Sequence, residues 1–141
     1  MKGGGGGKGG RLAYRILIVD DSALIRRTLK SCIEQNTEWH VCGEADNGKV
    51  AVDKVQELNP DVVILDFQMP VMNGLDAARR IASSAPNTEI VMLTIHSCEQ
   101  LRKEAQAAGI KDVFSKADGV ADHLLALLRK LRARSMPTAR R

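Results

Sequence analysis

Five polar side chains are spaced along this sequence in a way that predicts metal and phosphate chemistry. They are Asp20, Asp21, Asp66, Thr94 and Lys116, and each ends or follows a short apolar run. Carboxylates that lie close together repel one another and cannot all stay ionised without a cation. Lys116 supplies one positive charge. Because the other ligands are oxygens and no histidine joins them, Mg²⁺ is favoured over Zn²⁺ as the second cation.

A magnesium ion keeps water positions that a phosphate oxygen can replace. Thr94 could donate a hydrogen bond to a second phosphate oxygen and Lys116 to a third. One carboxylate would then remain as the acceptor, because a carboxylate can form an acyl phosphate. The residue types alone leave open which carboxylate that is.

The segments around these residues alternate between two patterns. Runs rich in valine and isoleucine predict strands covered on both faces, at 14–19, 39–42, 62–65, 90–93 and 112–114. Trp39 and His40 are interpreted as strand-edge residues. Five helical patterns are predicted between and after the strands: from Ser22 to about Gln35, from Asn47-Gly48 to Asn59, from Gly74 to Pro86, from Glu99 to Ala108 before Gly109, and around Leu124, Leu127, Leu128 and Leu131.

Five strand-helix units of about 25 residues each predict a doubly wound (βα)5 fold. Its five-stranded parallel sheet would lie between two helical layers in a flavodoxin-like, three-layer sandwich. Ligands in such folds bind outside the carboxyl ends of the strands. All five polar residues are expected at that edge of the sheet.

Two strings identify a family that carries this pattern. Ile-Leu-Ile-Val-Asp-Asp-Ser at 16–22 and Val-Ile-Leu-Asp-Phe-Gln-Met-Pro-Val-Met-Asn-Gly-Leu at 63–75 resemble response-regulator receiver domains, which have the CheY-like fold. Thr94 and Lys116 stand at matching spacings. The ending Ala-Ala-Gly-Ile-Lys-Asp-Val-Phe-Ser-Lys at 107–116 is most similar to receivers of the NarL/FixJ type, which precede DNA-binding domains.

The resemblance implies roles for the site residues. Asp66 would be the phosphoacceptor, with Thr94 and Lys116 contacting the phosphoryl group. Mg²⁺ would be held by Asp20, Asp21, Asp66 and the main-chain carbonyl of Gln68. The donor would be a sensor histidine kinase, a phosphotransfer protein or a small acyl phosphate. Dimerisation on phosphorylation is also consistent with the family.

The sequence departs from the family at several positions. Val113 stands where an aromatic residue is usual, and strand alternation predicts that Phe114 points to the opposite face. Ala117 replaces the proline that often follows the lysine. Ile95 is larger than the usual residue and would narrow access to Asp66. Gln68 and His96 match positions that line the path of hydrolytic water, so they are expected to tune the lifetime of the phosphate.

The distribution of charge and of glycine along the chain predicts the limits of the folded domain. Residues 12–128 carry seventeen acidic and twelve basic residues, so the net charge of +4 comes from the two ends. The glycine-rich segment 1–11 is predicted to be a disordered leader, 12–133 the receiver domain, and 134–141 a basic tail or linker. The tail lacks aromatic residues and a recognition helix, so direct nucleic-acid contact is not expected.

The sequence also predicts where the protein works. No apolar run approaches the roughly 20 residues that span a bilayer, and no secretory signal is visible. Three cysteines without a CxxC spacing indicate reduced, mostly buried thiols in a cytoplasmic protein.

Three kinds of protein remain as alternatives. The first is a phosphorylated signalling module that acts only on itself and is not an enzyme, either alone or ahead of a DNA-binding domain. The second is a magnesium-dependent phosphohydrolase, which usually needs an Asp-x-Asp motif that 66–68 lacks. The third is a receiver that only binds partners, which would be expected to lose part of the site.

Overall fold

The computed structural model describes residues 14–95, 98–116, 124–126 and 129–130. The predicted leader over 1–11, the predicted tail over 134–141, His96 and Ala117 lie outside the described residues. No helix in the described ranges is long and apolar enough to cross a membrane.

Strands and helices alternate along the chain as predicted. In chain order they are β1 (Arg15–Val19), α1 (Ala23–Asn36), β2 (His40–Ala45), α2 (Gly48–Leu58), β3 (Val62–Asp66), α3 (Gly74–Ser84), β4 (Glu89–Thr94), α4 (Glu99–Ala107) and β5 (Asp112–Ser115). Residues 124–126 and 129–130 are helical, at the place of the predicted fifth helix. Its Leu124 is fully buried.

The five strands form one parallel sheet in the order β2-β1-β3-β4-β5. The chain runs from β1 out to β2 and then crosses back to β3, which lies on the other side of β1. This reversal is the point at which doubly wound folds bind their ligands. The predicted fold class is confirmed.

Two apolar cores cover the two faces of the sheet. One contains Leu65 and Met92 from the strands and side chains of α2, α3 and α4. The other contains Ile64 and Leu93 from the same strands, side chains of α1, and Leu124. Neighbouring residues of a strand therefore enter opposite cores, which explains why the strand sequences are continuously apolar rather than alternating.

Capping residues mark the starts of three helices and the end of a fourth. The side chains of Ser22, Asn47 and Asn73 each accept a hydrogen bond from the main-chain N–H three residues later. At the end of α4, Gly109 has a φ of 93°, and the N–H of Ile110 donates to the carbonyl of Ala105 at 2.9 Å. This is a Schellman ending, which glycine adopts without steric cost.

The prediction for the second strand was wrong at both ends. The strand is His40–Ala45 rather than 39–42. Its pairing with β1 shifts register so that Val41 and Gly43 face consecutive β1 residues, which leaves Cys42 as a bulge. Trp39 is a core residue with 5% exposure, and its ring stacks on Tyr14 at 5.0 Å between centroids.

The cysteines are less buried than the sequence predicted. Cys32 and Cys42 are half-buried, and Cys98 is exposed. Burial raises the pKa of the Cys42 thiol above its ordinary value, against the lowering effect of the Arg15 charge. That thiol is therefore protonated at neutral pH.

Candidate functional site

The carboxyl ends of four adjacent strands bring the predicted site residues to one edge of the sheet. Asp20 directly follows β1, Asp66 ends β3, Thr94 ends β4, and Lys116 directly follows β5. Because β1, β3, β4 and β5 are neighbours in a parallel sheet, these four ends lie side by side. Residues separated by up to 96 positions in the chain are thereby brought into contact.

Three carboxylates form a cluster at this edge. One oxygen each of Asp20, Asp21 and Asp66 lies within 4.8 Å of the others. Asp20 is 2% exposed and Asp66 is 7% exposed, whereas Asp21 faces solvent. The cluster is thus a shallow pocket with two buried carboxylates at its base and one at its mouth.

Lys116 neutralises part of this negative charge. Its Nζ donates to Oδ2 of Asp20 at 2.6 Å and lies 3.1 Å from Oδ1 of Asp66. Burial lowers the pKa of Lys116, but the hydrogen bond to Asp20 and the charges of Asp66 and Asp20 outweigh this effect and raise the pKa overall. Lys116 is therefore charged at neutral pH.

Asp66 is the carboxylate whose ionised form is disfavoured. Burial raises the pKa of Asp66, the charge of Asp20 raises it further, and Lys116 lowers it without cancelling the rise. The ionised form of such a carboxylate is stabilised when a positive charge is added nearby. An added cation, or loss of its own charge, would therefore relieve the unfavourable ionisation of Asp66.

Two contacts fix Asp20 in addition to Lys116. Its Oδ1 accepts a hydrogen bond from the N–H of Ser22 at 2.9 Å. Its own N–H donates to the carbonyl of Ala45 at 3.0 Å, just past the last β1–β2 pair. The carboxylate is consequently held by backbone geometry and not by Lys116 alone.

The loop after β3 packs tightly against Asp66. The N–H of Gly74 donates to the carbonyl of Phe67 at 2.8 Å. A Cβ on Gly74 would lie 2.3 Å from the main-chain oxygen of Asp66, so only glycine fits there. Gln68 is exposed in this loop.

The start of α2 supports the same loop from the other side. The N–H of Gly48 donates to the carbonyl of Met72 at 3.1 Å, and a Cβ on Gly48 would lie 2.3 Å from that oxygen. Both glycines that the sequence marked as helix starts are thus places where one backbone closely approaches another.

The remaining predicted positions lie around the pocket. Thr94 is 2% exposed at the end of β4, and Ile95 after it is 57% exposed. Val113 packs in the core of the α2–α4 side, while Phe114 packs against the opposite core. The prediction that Phe114 points away from the usual aromatic position is confirmed.

The sequence analysis missed Arg26. Its guanidinium reaches the main-chain oxygen of Asp20 and the side chain of Glu44. An arginine one turn into α1 gave no distinctive signal, because exposed helix positions commonly carry basic residues. The contact depends on where β2 ends, which the sequence did not predict correctly.

The donor set of the pocket suits a small, hard cation. Asp20, Asp21 and Asp66 offer carboxylate oxygens only, with spacing short enough for one ion to reach all three. Mg²⁺ is typically bound by one or two carboxylates and completes its shell with water or phosphate oxygens. The exposed position of Asp21 leaves the mouth of the pocket accessible for such ligands.

The sequence is similar to a known protein family and to characterised proteins of bacteria. The family model described as response regulator receiver domain matches residues 16–129. The chain is 43% identical over 105 residues to the chemotaxis protein CheY of Thermotoga maritima, covering 74% of this chain and 87% of that protein. It is 40% identical over 102 residues to the transcriptional regulatory protein YdfI of Bacillus subtilis, covering 72% of this chain and 47% of that protein.

Longer proteins match in the same way. Several protein-glutamate methylesterases/protein-glutamine glutaminases are similar to this chain, which spans 20–36% of their length. The chain therefore corresponds to one domain of these relatives, and their other activities are not carried over by the likeness.

Solved structures agree on the fold. The response regulator domain of Thermotoga maritima CheB superposes with a TM-score of 0.80 at 35% identity, covering 89% of this chain and 99% of that one. The CheX–CheY–BeF3–Mg²⁺ complex from Borrelia burgdorferi superposes with a TM-score of 0.77 at 28% identity, covering 84% of this chain and 89% of that one.

Proposed function

The chain belongs to the response regulator receiver domain family of two-component systems, and from this premise we propose that Asp66 accepts a phosphoryl group from a sensor histidine kinase or a phosphotransfer protein. The observation that carries the proposal is the cluster itself. Asp66 lies with Asp20 and Asp21 within 4.8 Å, and Lys116 bridges the two buried carboxylates. Of these three carboxylates, Asp66 is the one at the end of the central β3.

The transfer is an in-line displacement at phosphorus. A carboxylate oxygen of Asp66 forms a bond to phosphorus as the bond from phosphorus to the donor imidazole nitrogen breaks, and the electron pair stays on the imidazole. Asp20, Asp21, Asp66 and the main-chain carbonyl of Gln68 would hold Mg²⁺. The ion, when bound, neutralises charge on the phosphoryl oxygens and orients them. The Mg²⁺ in the Borrelia burgdorferi complex supports this choice.

Lys116 and Thr94 would bind the transferred group. Lys116 is charged and already in contact with Asp66, so a small change of its side chain would direct it to a phosphoryl oxygen. The hydroxyl of Thr94 would donate to another. Both groups would act by position and charge. Because the acceptor is the domain's own Asp66, the domain would modify itself, and we propose that it is not an enzyme in its own right.

Phosphorylation would then shift the balance between two arrangements of the face formed by α4, β5 and the helical residues 124–126. Thr94 ends β4, next to this face, and would move towards the new charge. Val113 occupies the position where the family usually has an aromatic residue, so no aromatic rotamer change is expected to accompany the movement.

The finer assignment is a regulator of the NarL/FixJ type. The similarity of residues 107–116 to such receivers supports it, as does the match to the transcriptional regulatory protein YdfI, of which this chain spans less than half. On this proposal residues 12–133 are the receiver domain of a cytoplasmic transcription factor, whose DNA contacts are made by another domain and whose phosphorylated form can dimerise. A stand-alone regulator is the alternative, because CheY is matched over most of its length.

Intact-mass measurement tests the proposal directly. The protein is incubated with acetyl phosphate and Mg²⁺, or with a phosphorylated histidine phosphotransfer domain. We expect the mass of one phosphoryl group to be added to the wild type and to Asp53→Asn, an exposed control on α2. Asp66→Asn, and the wild type in EDTA, should gain nothing. A wild type that stays unmodified by both donors, or an Asp66→Asn variant that is still modified, would contradict the proposal.

A further inference from the structure

Arg26 makes two hydrogen bonds that join the acidic pair to the end of β2. Its Nη1 donates to the main-chain oxygen of Asp20 at 2.6 Å, and its Nε donates to Oε1 of Glu44 at 2.9 Å. The side chain is mostly covered, with 19% of it exposed, whereas that of Glu44 is 38% exposed. A planar guanidinium with two occupied donors has one preferred orientation.

The carbonyl that Arg26 binds has a special place in the site. It belongs to the peptide group between Asp20 and Asp21, the two neighbouring carboxylates of the cluster. Rotation of this peptide would swing the Asp21 side chain away from Asp20 and Asp66. Asp20 is also held through its N–H and its carboxylate. Asp21 is exposed and lies between this peptide and Ser22, whose N–H donates to the Asp20 carboxylate, so the Arg26 contact fixes the side of Asp21 that Ser22 does not.

We propose that Arg26, aimed by Glu44, is a positioning residue that sets the affinity of the acidic pocket for Mg²⁺. The inference rests on the proposed metal site but not on phosphoryl transfer. The hydrogen bonds of Arg26 go to the Asp20 main-chain carbonyl and to Glu44, so it acts on the cluster through that carbonyl and not through a carboxylate of the cluster. Partners of this kind, one step removed from the ion, typically change metal affinity by about 10- to 100-fold when they are lost.

Arg26 could influence Mg²⁺ affinity through its charge or by positioning the Asp20–Asp21 peptide. These two explanations predict opposite changes in affinity for one variant. Arg26→Gln leaves Glu44 as an unpaired negative charge near the pocket, and charge alone would then strengthen Mg²⁺ binding. Loss of the peptide clamp would weaken binding instead. Glu44→Gln weakens binding on either view, and the double variant carries no added charge. Arg26→Gln is therefore the decisive change.

The measurement is the Mg²⁺ dissociation constant of the whole chain, obtained by calorimetric titration with MgCl2 at fixed ionic strength. We expect Arg26→Gln to raise it about tenfold. The double variant with Glu44→Gln should bind Mg²⁺ at least as weakly as Arg26→Gln, because it loses the peptide clamp without gaining the unpaired charge of Glu44. Arg26→Lys, which can reach one acceptor but not both, should fall between the wild type and Arg26→Gln.

Two control variants separate positioning from stability. Arg27→Gln removes a charge from an exposed position of the same helix and should leave the dissociation constant unchanged. Arg15→Gln removes the hydrogen bond from Nη1 to the carbonyl of Leu58 at 2.5 Å, at the opposite edge of the sheet. It should lower stability in urea without changing Mg²⁺ affinity, so a fall in affinity is not a general result of destabilisation.

Phosphoryl uptake gives an independent check. For Arg26→Gln, the Mg²⁺ concentration for half-maximal uptake from acetyl phosphate should rise about tenfold, while the rate at saturating Mg²⁺ stays within about twofold of the wild type. An unchanged or tighter dissociation constant in Arg26→Gln overturns the inference. A wild type that binds Mg²⁺ without accepting phosphate would contradict the proposed function and leave the inference intact.

Discussion

Lys116 binds Asp20 more closely than it binds the proposed acceptor. Its Nζ lies 2.6 Å from Oδ2 of Asp20 and 3.1 Å from Oδ1 of Asp66. In the arrangement described here, Lys116 serves as the cation that lets two buried carboxylates coexist. A phosphoryl group on Asp66 would offer it new acceptors, so the lysine must divide its donors differently in the two states.

Replacing Lys116 should therefore destabilise the protein most when no metal is present. Removing one partner of a buried charge cluster typically costs about 3–5 kcal/mol. For Lys116→Gln we expect a loss near the lower end, about 3 kcal/mol, because glutamine keeps a donor. Mg²⁺ should restore part of the loss. Urea unfolding in EDTA and in Mg²⁺, followed by Trp39 fluorescence, measures both values.

The control is Lys103→Gln, which removes a lysine from an exposed position of α4. Equal losses for the two variants, or a loss for Lys116→Gln that Mg²⁺ does not reduce, would contradict the role of Lys116. The raised pKa of Lys116 adds a pH signature. Its contribution is complete below the ordinary value of 10.5 and disappears as the pH rises through the higher folded-state value.

Asp66 should make the metal-free protein less stable as the pH rises from acid. Its pKa is raised above the ordinary value of 3.8 by burial and by the charge of Asp20, against the lowering effect of Lys116. Between 3.8 and the raised value, the folded state binds more protons than the unfolded state, so stability falls with increasing pH across this window. In EDTA, Asp66→Asn should accordingly be more stable than the wild type at pH 7.

The size of this difference should depend on pH and on metal. It should shrink as the pH falls through 3.8, because below that value Asp66 is protonated in both states. Mg²⁺ should remove it at pH 7 because the ion stabilises the ionised form. Asp53→Asn, exposed on α2, is the matched control. If Asp66→Asn and the wild type have parallel stability curves from pH 4 to 7, the argument fails.

The sequence predicted the fold, and the grouping of the candidate site residues at one edge of the sheet, from features that are local. Continuous valine and isoleucine runs marked the strands, and Ser22, Asn47 and Gly109 marked helix ends by capping chemistry. The site then followed from topology, since adjacent parallel strands must end at one edge. Asp20, Asp66, Thr94 and Lys116 could be placed together before any distance was known.

The features that the sequence did not predict depend on register and on exact distance. β2 continues through the bulge at Cys42 beyond the apolar run, so its end at Ala45 was missed. The Arg26–Glu44 contact depends on that end and was missed with it. The closer approach of Lys116 to Asp20 than to Asp66 is a difference of half an ångström between two acceptors, and no spacing rule could rank them.

Gly74 should tolerate no side chain. A Cβ there would lie 2.3 Å from the main-chain oxygen of Asp66, and a backbone atom cannot move aside as a flexible side chain can. We expect Gly74→Ala to destabilise the protein by about 1–3 kcal/mol. It should also slow phosphoryl uptake, because relief of the clash displaces Asp66 from the cluster.

A third glycine provides the control for this variant. A Cβ on Gly43 would lie 2.6 Å from Cδ1 of Leu58 and 3.4 Å from Cδ1 of Leu17, and both atoms are the ends of flexible side chains rather than backbone. Gly43→Ala should leave the uptake rate unchanged at saturating Mg²⁺, whatever small loss of stability it causes. Comparable uptake by Gly74→Ala and the wild type would show that the close approach does not position Asp66.

Val71 is a strained residue in the loop that follows Asp66. Its φ is 69°, a left-handed conformation that is unfavourable for a branched side chain, and it is 81% exposed. The N–H of Met72 donates to the carbonyl of Pro70 at 2.7 Å, which makes Val71 the centre of a positive-φ γ-turn. Burial offers no compensation here, so the strain must be opposed by the contacts on either side of the loop.

Asparagine at this position should relieve the strain. The left-handed conformation costs an ordinary residue about 1–2 kcal/mol, and asparagine tolerates it best after glycine. We expect Val71→Asn to raise the free energy of unfolding by about 1 kcal/mol, and Val71→Ala, which keeps a Cβ without the branch, to gain less. Glycine removes the clash but adds unfolded-state entropy, so Val71→Gly should gain no more than Val71→Asn. Urea unfolding of the three variants orders them, and equal stabilities for Val71→Asn and Val71→Ala would show that the backbone conformation is not the source of the gain.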